Sequence, residues 1–247
     1  MKKKLLFRLL VILFATSAWS CADSSFDVDE EEELLFADLY VDNDKLELGD
    51  LLLPGYPIQF GIAISKIFLE KTMGSKLLNL IKRNDPYIRF LGDPALPPSR
   101  MDYGGLGTIF YPPNMLTASF IDVSLFHEFF HILQNGDVPQ RSLNNEIEAY
   151  VACCLYSRRI NTGAYEPIFN QYIPGFDNII KALADAIDPE LSGTKKTEAV
   201  KQLDANYRHA IELLKNSDQY NPEDGWHETP VSTNHFPNIV NLLNLKQ

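Results

Sequence analysis

Apolar and polar positions alternate along this chain with different periods, and the periods mark out its elements. A nearly continuous apolar run covers Leu9 to Ala15 and extends from Leu5 to Ala18 if Arg8 is tolerated. Residues 22–33 show no apolar period at all. Ser65 to Arg83 carries Ile67, Phe68, Leu77, Leu78, Leu80 and Ile81 at roughly helical spacing, with an interruption near Gly74. Val123, Leu125, Phe126, Phe129, Phe130, Ile132 and Leu133 describe the apolar face of a further helix, capped by Asp122 and ended by Asn135-Gly136. The same period predicts helices over Val151 to Arg158, Phe176 to Ile187 and Thr197 to Asn216. Tyr87 to Leu91 and Thr108 to Tyr111 read as strands, the second stopped by Pro112-Pro113. Leu34 to Leu53 reads as irregular structure or short strands, and the end of the chain as loop up to the apolar run Ile239 to Leu245.

The composition narrows the class. With 45% apolar and 11% aromatic residues in 247, the chain is neither collagenous nor disordered, and three Cys do not make a disulfide scaffold. The expected organisation is a leader at residues 1–20, a tether at 21–40 and one folded domain over 41–247. Lys2, Lys3, Lys4 and Arg8 precede an apolar stretch too short to span a bilayer comfortably, the architecture of a secretory signal. Ala18 and Ser20 lead to Cys21, so this end resembles a bacterial lipoprotein signal. The resemblance implies a lipid on Cys21 and anchoring to a bacterial cell-envelope membrane, with the outer membrane or cell surface as the expected place. Asp23, Asp27, Asp29 and Glu30 to Glu33 then form a solvated acidic tether. The whole chain carries a net charge of −11, and without residues 1–20 it has 18 basic against 33 acidic residues, or −15, so nucleic acid is excluded as an expected partner.

The chemistry concentrates in His127-Glu128-Phe129-Phe130-His131. Two His four positions apart share one helix face about a turn apart, as neighbouring ligands of a tetrahedral zinc must. Glu128 lies within reach of a water on the same metal and can serve as its general base. On residue frequencies alone, about 0.006 such five-residue matches are expected in a chain of this composition. Two imidazoles and a carboxylate on an apolar helix are costly to bury without partners, which favours a metal role over packing. Two His and a carboxylate favour zinc as that metal.

A catalytic zinc needs a third protein ligand and an open position. Downstream stands Asn144-Asn145-Glu146-Ile147-Glu148-Ala149-Tyr150. Over Thr108 to Arg158 the chain resembles the gluzincin-type zinc metallopeptidases, in which the His-Glu-x-x-His helix is followed by a second helix bearing a ligating Glu. The Glu146-x-x-Ala149 spacing resembles the Glu-x-x-Ala form of several such families and favours Glu146 as the third ligand, the small Ala letting the two helices approach. Glu148 competes, because other members place the Glu immediately before a small residue. Asp137 is a third possibility on the metzincin-like spacing, although Gln134 stands where that pattern requires Gly. The resemblance implies a zincin-like α+β core, mostly helical with a small sheet, that hydrolyses peptide bonds in a peptide or protein substrate. It also implies an edge strand, Thr108 to Tyr111, on which a substrate can be held by strand addition.

An oxyanion donor is expected as well, with Tyr150, Tyr165, His227 and His235 as candidates. Adjacent Cys153 and Cys154 read as small buried thiols without a His-pairing motif. Asp42-x-Asp44 fails as a calcium loop because Glu47 stands where Gly is needed, and Gly104-Gly105-Leu106-Gly107 lacks the Lys-Ser/Thr of a phosphate loop. The principal alternative to an enzyme is a surface binding lipoprotein on a zincin scaffold without turnover. Hydrolysis of a non-peptide amide is the other.

Overall fold

The helix over residues 121–135 has a broad apolar face, so it has to be covered along its length by other elements. In the structure, a computed structural model, residues 51–83, 87–98, 100–135, 140–160, 173–229 and 234–243 are described. All of them belong to one compact unit, Phe36–Gln247. The signal segment, the tether, Asp42-x-Asp44, Asp137 and Tyr165 lie outside the described residues. Two helices open the described chain, α1 (Ile58–Leu69) and α2 (Gly74–Arg83). The predicted interruption near Gly74 is the corner between them, and α1 starts seven residues ahead of Ser65. Gly74 is required there, since a Cβ would stand 2.0 Å from the Ile67 carbonyl oxygen.

Next come β1 (Arg89–Gly92), β2 (Asp102–Gly105) and β3 (Thr108–Tyr111). The strand order is β1-β3-β2, with β1 parallel and β2 antiparallel to β3. Thr108 to Tyr111 is therefore the central strand and not the expected edge. The reason lies in the glycine run, which forms a hairpin. Leu106 at φ 50° and Gly107 at φ 67° make a two-residue turn with both central residues left-handed, and this brings β2 back onto β3. Gly104 has to be Gly because a Cβ would fall 2.3 Å from the Phe110 ring. β2 is left at the edge of the sheet, on the α3 side.

A 3-10 turn at Pro113–Thr117 leads to α3 (Ile121–Asn135) and then α4 (Leu143–Arg159). Asp122 is the second residue of α3 and not its cap, and there its carboxylate still complements the helix dipole. α4 is twice as long as predicted, because Ser142 caps it by accepting the Asn145 N–H and so draws the polar Asn144-Asn145-Glu146 into the helix. α5 (Phe176–Ile187) has its predicted bounds. The helix predicted over Thr197 to Asn216 divides at Gln202 into α6 (Gly193–Lys201) and α7 (Leu203–Lys215). The break leaves α6 with no buried residue and lets α7 bury Tyr207, Ala210, Ile211 and Leu214. A short α8 (Pro237–Leu243) ends the described chain.

α3 packs against α1 and α2, against α4, and along β2, while α4 carries α5 and α7 on its far side. Phe126, Phe129 and Phe130 are fully buried in this centre, and Phe126 stacks on Tyr156 of α4 with ring centroids 4.3 Å apart. The architecture is mostly helical α+β with one small mixed sheet. Among the described residues, no helix is long and apolar enough to cross a membrane.

Candidate metal centre

The i, i+4 spacing on α3 stacks His127 over His131 with their rings edge to face, 4.6 Å between centroids. Their Nε2 atoms lie 3.0 Å apart, aimed at one point. Glu146 comes from the first turn of α4, which Ser142 fixes, and is buried to 8% exposure. Its Oε2 stands 3.5 Å from His127 Nε2 and its Oε1 3.3 Å from His131 Nε2. Zinc bonds of about 2.0–2.1 Å at tetrahedral angles require donor atoms about 3.3 Å apart, and these three separations bracket that edge. Among the described residues, His127, His131 and Glu146 form the one cluster of His, Cys, Asp or Glu able to hold a metal ion. Glu148 and Glu146 leave α4 on different faces, and only Glu146 reaches the two histidines.

The charges here are strongly coupled. Burial works against the charged form of Glu146, yet the two imidazoles outweigh it and hold this carboxyl well below the usual carboxylate range. Burial also opposes charge on His131, but the Glu146 carboxylate and its hydrogen bond raise that imidazole to about 9. Burial and the neighbouring His131 lower His127. Tyr220 donates a hydrogen bond to Glu146 Oε2 at 3.3 Å, and the Tyr150 and Tyr220 hydroxyls lie 2.5 Å apart. Tyr150 also packs its ring on His127, with centroids 4.6 Å apart.

Glu128 points toward β2, where the Tyr103 backbone N–H donates to it. Burial raises its pKa to about 8 despite that bond and the nearby His131. Cys153 Sγ lies 3.7 Å from His127 Nδ1. Burial, with Glu128 the next cause, pushes the Cys153 thiol well above its ordinary pKa, so it stays protonated and is no nucleophile. Arg100 pairs with Asp102 at the start of β2 through an Nε–Oδ1 contact of 2.8 Å, and its charge bears on both tyrosine hydroxyls.

Glu148 is equally buried and differently employed. It accepts the Asn238 and Ile239 backbone N–H groups on Oε1, at 2.6 and 3.0 Å, and the Asn238 and Gln134 side-chain amides on Oε2, at 2.8 and 3.0 Å. Burial, the dominant influence, raises its carboxyl even against these four donors. Two of the oxyanion candidates stand away from the centre. His227 forms a backbone bridge with Ser142, and His235 pairs with Asp204 at 2.8 Å while stacking on Tyr207. Tyr150 is the candidate that the fold brings to the histidines.

Sequence reasoning missed Tyr220, Arg100, Asp102 and the part played by Gln134. Nothing in the spacing points to Tyr220, which reaches Glu146 across 74 positions from a 3-10 turn at Asp218–Tyr220. Gln134 carried a faint signal, as a polar residue one turn beyond His131 where the metzincin pattern would have Gly. No protein-family model matches the chain, and neither curated proteins nor solved structures provide a match.

Proposed function

We propose that the protein is a zinc-dependent peptidase in which His127, His131 and Glu146 hold the metal and Glu128 is the general base. The observation that carries this reading is the set of three donor-atom separations of 3.0, 3.3 and 3.5 Å, with Glu128 next to His127 on the same helix. A zinc ion there would supply Lewis acidity, lowering the pKa of a water and polarising a scissile carbonyl. Glu128 takes the proton from the attacking water and delivers it to the leaving amine as the C–N bond breaks, so the carboxylate is regenerated. Burial raises this carboxyl in the metal-free protein, which suits the stage at which it carries the proton, and a zinc ion beside it would favour the ionised form that accepts one. Tyr220 holds the Glu146 carboxylate from behind, and Tyr150 stands beside His127. The edge strand β2, joined to Glu128 through the Tyr103 N–H, offers an extended substrate its backbone groups. The lipoprotein-like start of the chain supports export and anchoring through a lipid on Cys21, and with them a substrate outside the cytoplasm.

Metal analysis of the purified protein tests the centre, alongside His127→Ala, Glu146→Ala and Glu128→Gln. Near one zinc per chain is expected, lost in the first two variants and retained in Glu128→Gln, with peptide-library cleavage abolished only where zinc or Glu128 is lost. A wild-type protein that takes up no zinc defeats the reading. Zinc bound without turnover of any peptide or amide favours the non-catalytic binding lipoprotein instead.

A further inference from the structure

Gln134 has one orientation that its surroundings allow. Its Nε2 donates to the Asn145 carbonyl oxygen and to Glu148 Oε2, each at 3.0 Å, and its Oε1 faces His131 Nδ1 at 2.9 Å. Flipping the amide would set its oxygen against two acceptors, so the oxygen has to face the imidazole. An oxygen there requires a proton on Nδ1, and the neutral ring is then left with its lone pair on Nε2, the atom that points at His127 and Glu146. Glu148 is fixed in turn by three donors from Asn238 and Ile239, 90 positions further along the chain.

We propose that Gln134 and Glu148 are positioning residues that lock His131 as an Nε2 donor, and that the chain end around Asn238 is the anchor of this relay and therefore part of the metal centre. The proposal rests on the metal-centre reading above. Partners that orient a ligating His typically change metal affinity about 10–100-fold when removed. Such coupling is reciprocal, so a bound metal also favours the docked chain end. Among the described residues His127 has no comparable support, its Nδ1 meeting the weakly accepting Cys153 thiol at 3.7 Å.

The test is a zinc titration of the full protein against a competing chromogenic chelator, with Gln134→Ala, Glu148→Gln and wild type compared. Glu148→Gln replaces one acceptor oxygen by an amide that faces donors, and Gln134→Ala removes a half-buried side chain near a helix end and leaves the core intact. Both variants are expected to bind zinc at least tenfold more weakly than wild type. Ring 15N spectra supply the readout that a merely structural role would not move. Measured above pH 9, where the metal-free ring is neutral, His131 is expected to carry its proton on Nδ1 in the wild type and in Gln134→Ala to lose that preference, while the metal-free melting temperature stays within a few degrees. Zinc affinity within twofold of wild type in both variants overturns the relay and leaves the metal centre standing. Weaker binding in Gln134→Ala alone overturns the anchoring role of the chain end. A wild type that binds no zinc overturns both readings together.

Discussion

Glu146 and Glu148 stand two positions apart on α4, and that offset turns their side chains about 200° from each other around the helix. One meets two imidazoles and a tyrosine hydroxyl, the other two amide side chains and the backbone of residues 238 and 239. Residue type did not separate them, because both are glutamates followed closely by a small residue. What separates them is where each meets α3, Glu146 at His127 and His131 and Glu148 at Gln134 near the helix end, and that depends on packing far outside the motif. Tyr220 joins the Glu146 carboxylate to the Tyr150 hydroxyl. Its hydroxyl donates to an ionised, buried carboxylate, an interaction worth about 1.5–3 kcal/mol. Tyr220→Phe is expected to destabilise the metal-free protein by that amount, measured by denaturant unfolding, with the ring contact to Trp226 retained. An unchanged midpoint would show that neither Glu146 nor the Tyr150 hydroxyl gains stability from this contact.

At the level of elements, helices that bury one regular face were the most legible. α5 ran over its predicted span because Phe176, Ile180, Leu183 and Ala184 recur at helical spacing and all pack inward. Elements that depend on a partner were misread. β2 has a Gly-rich sequence with no strand period, and it becomes a strand only because the Leu106-Gly107 turn folds it onto β3. The start of α2 shows a similar dependence on local hydrogen bonding. Glu70 closes it by accepting the Thr72 N–H at 2.8 Å and the Met73 and Gly74 N–H groups at 2.7 Å each. Burial would raise this carboxyl, but these bonds and the Thr72 hydroxyl together lower it. A carboxyl whose folded pKa lies below its unfolded value stabilises the fold above the unfolded pKa of 4.5, and that contribution is lost as pH falls below it. Glu70→Ala is therefore expected to cost about 1 kcal/mol at pH 7, a usual loss for a helix cap, and much less at pH 3. Thermal melts of the two proteins at both pH values check the sign.

Across the whole molecule, α3 is both the centre of the core and the carrier of the two histidines, so the site inherits the rigidity of the packing around it. A metal held by α3 and α4 together would bind the folded chain only, and at a hundredfold excess over its dissociation constant it would add about 2.7 kcal/mol of stability. Chelation of the zinc-loaded protein is accordingly expected to lower its melting temperature, and to leave Glu146→Ala unchanged. Equal shifts in both would mean that the metal sits elsewhere.

The primary structure alone determined that His127 and His131 share a helix face, because a spacing of four residues is a property of any α-helix. It determined as well that the opposite face of this helix would pack on other elements, since Val123, Leu125, Phe126, Phe129, Phe130, Ile132 and Leu133 lie along it. Only the tertiary structure decided which glutamate joins them, that Tyr220 and Asn238 arrive from the far end of the chain, and that Thr108–Tyr111 is the middle of its sheet. Those outcomes rest on contacts across 74 and 90 positions, or on a strand pairing made by a turn. A local period holds no record of which distant segment packs against it.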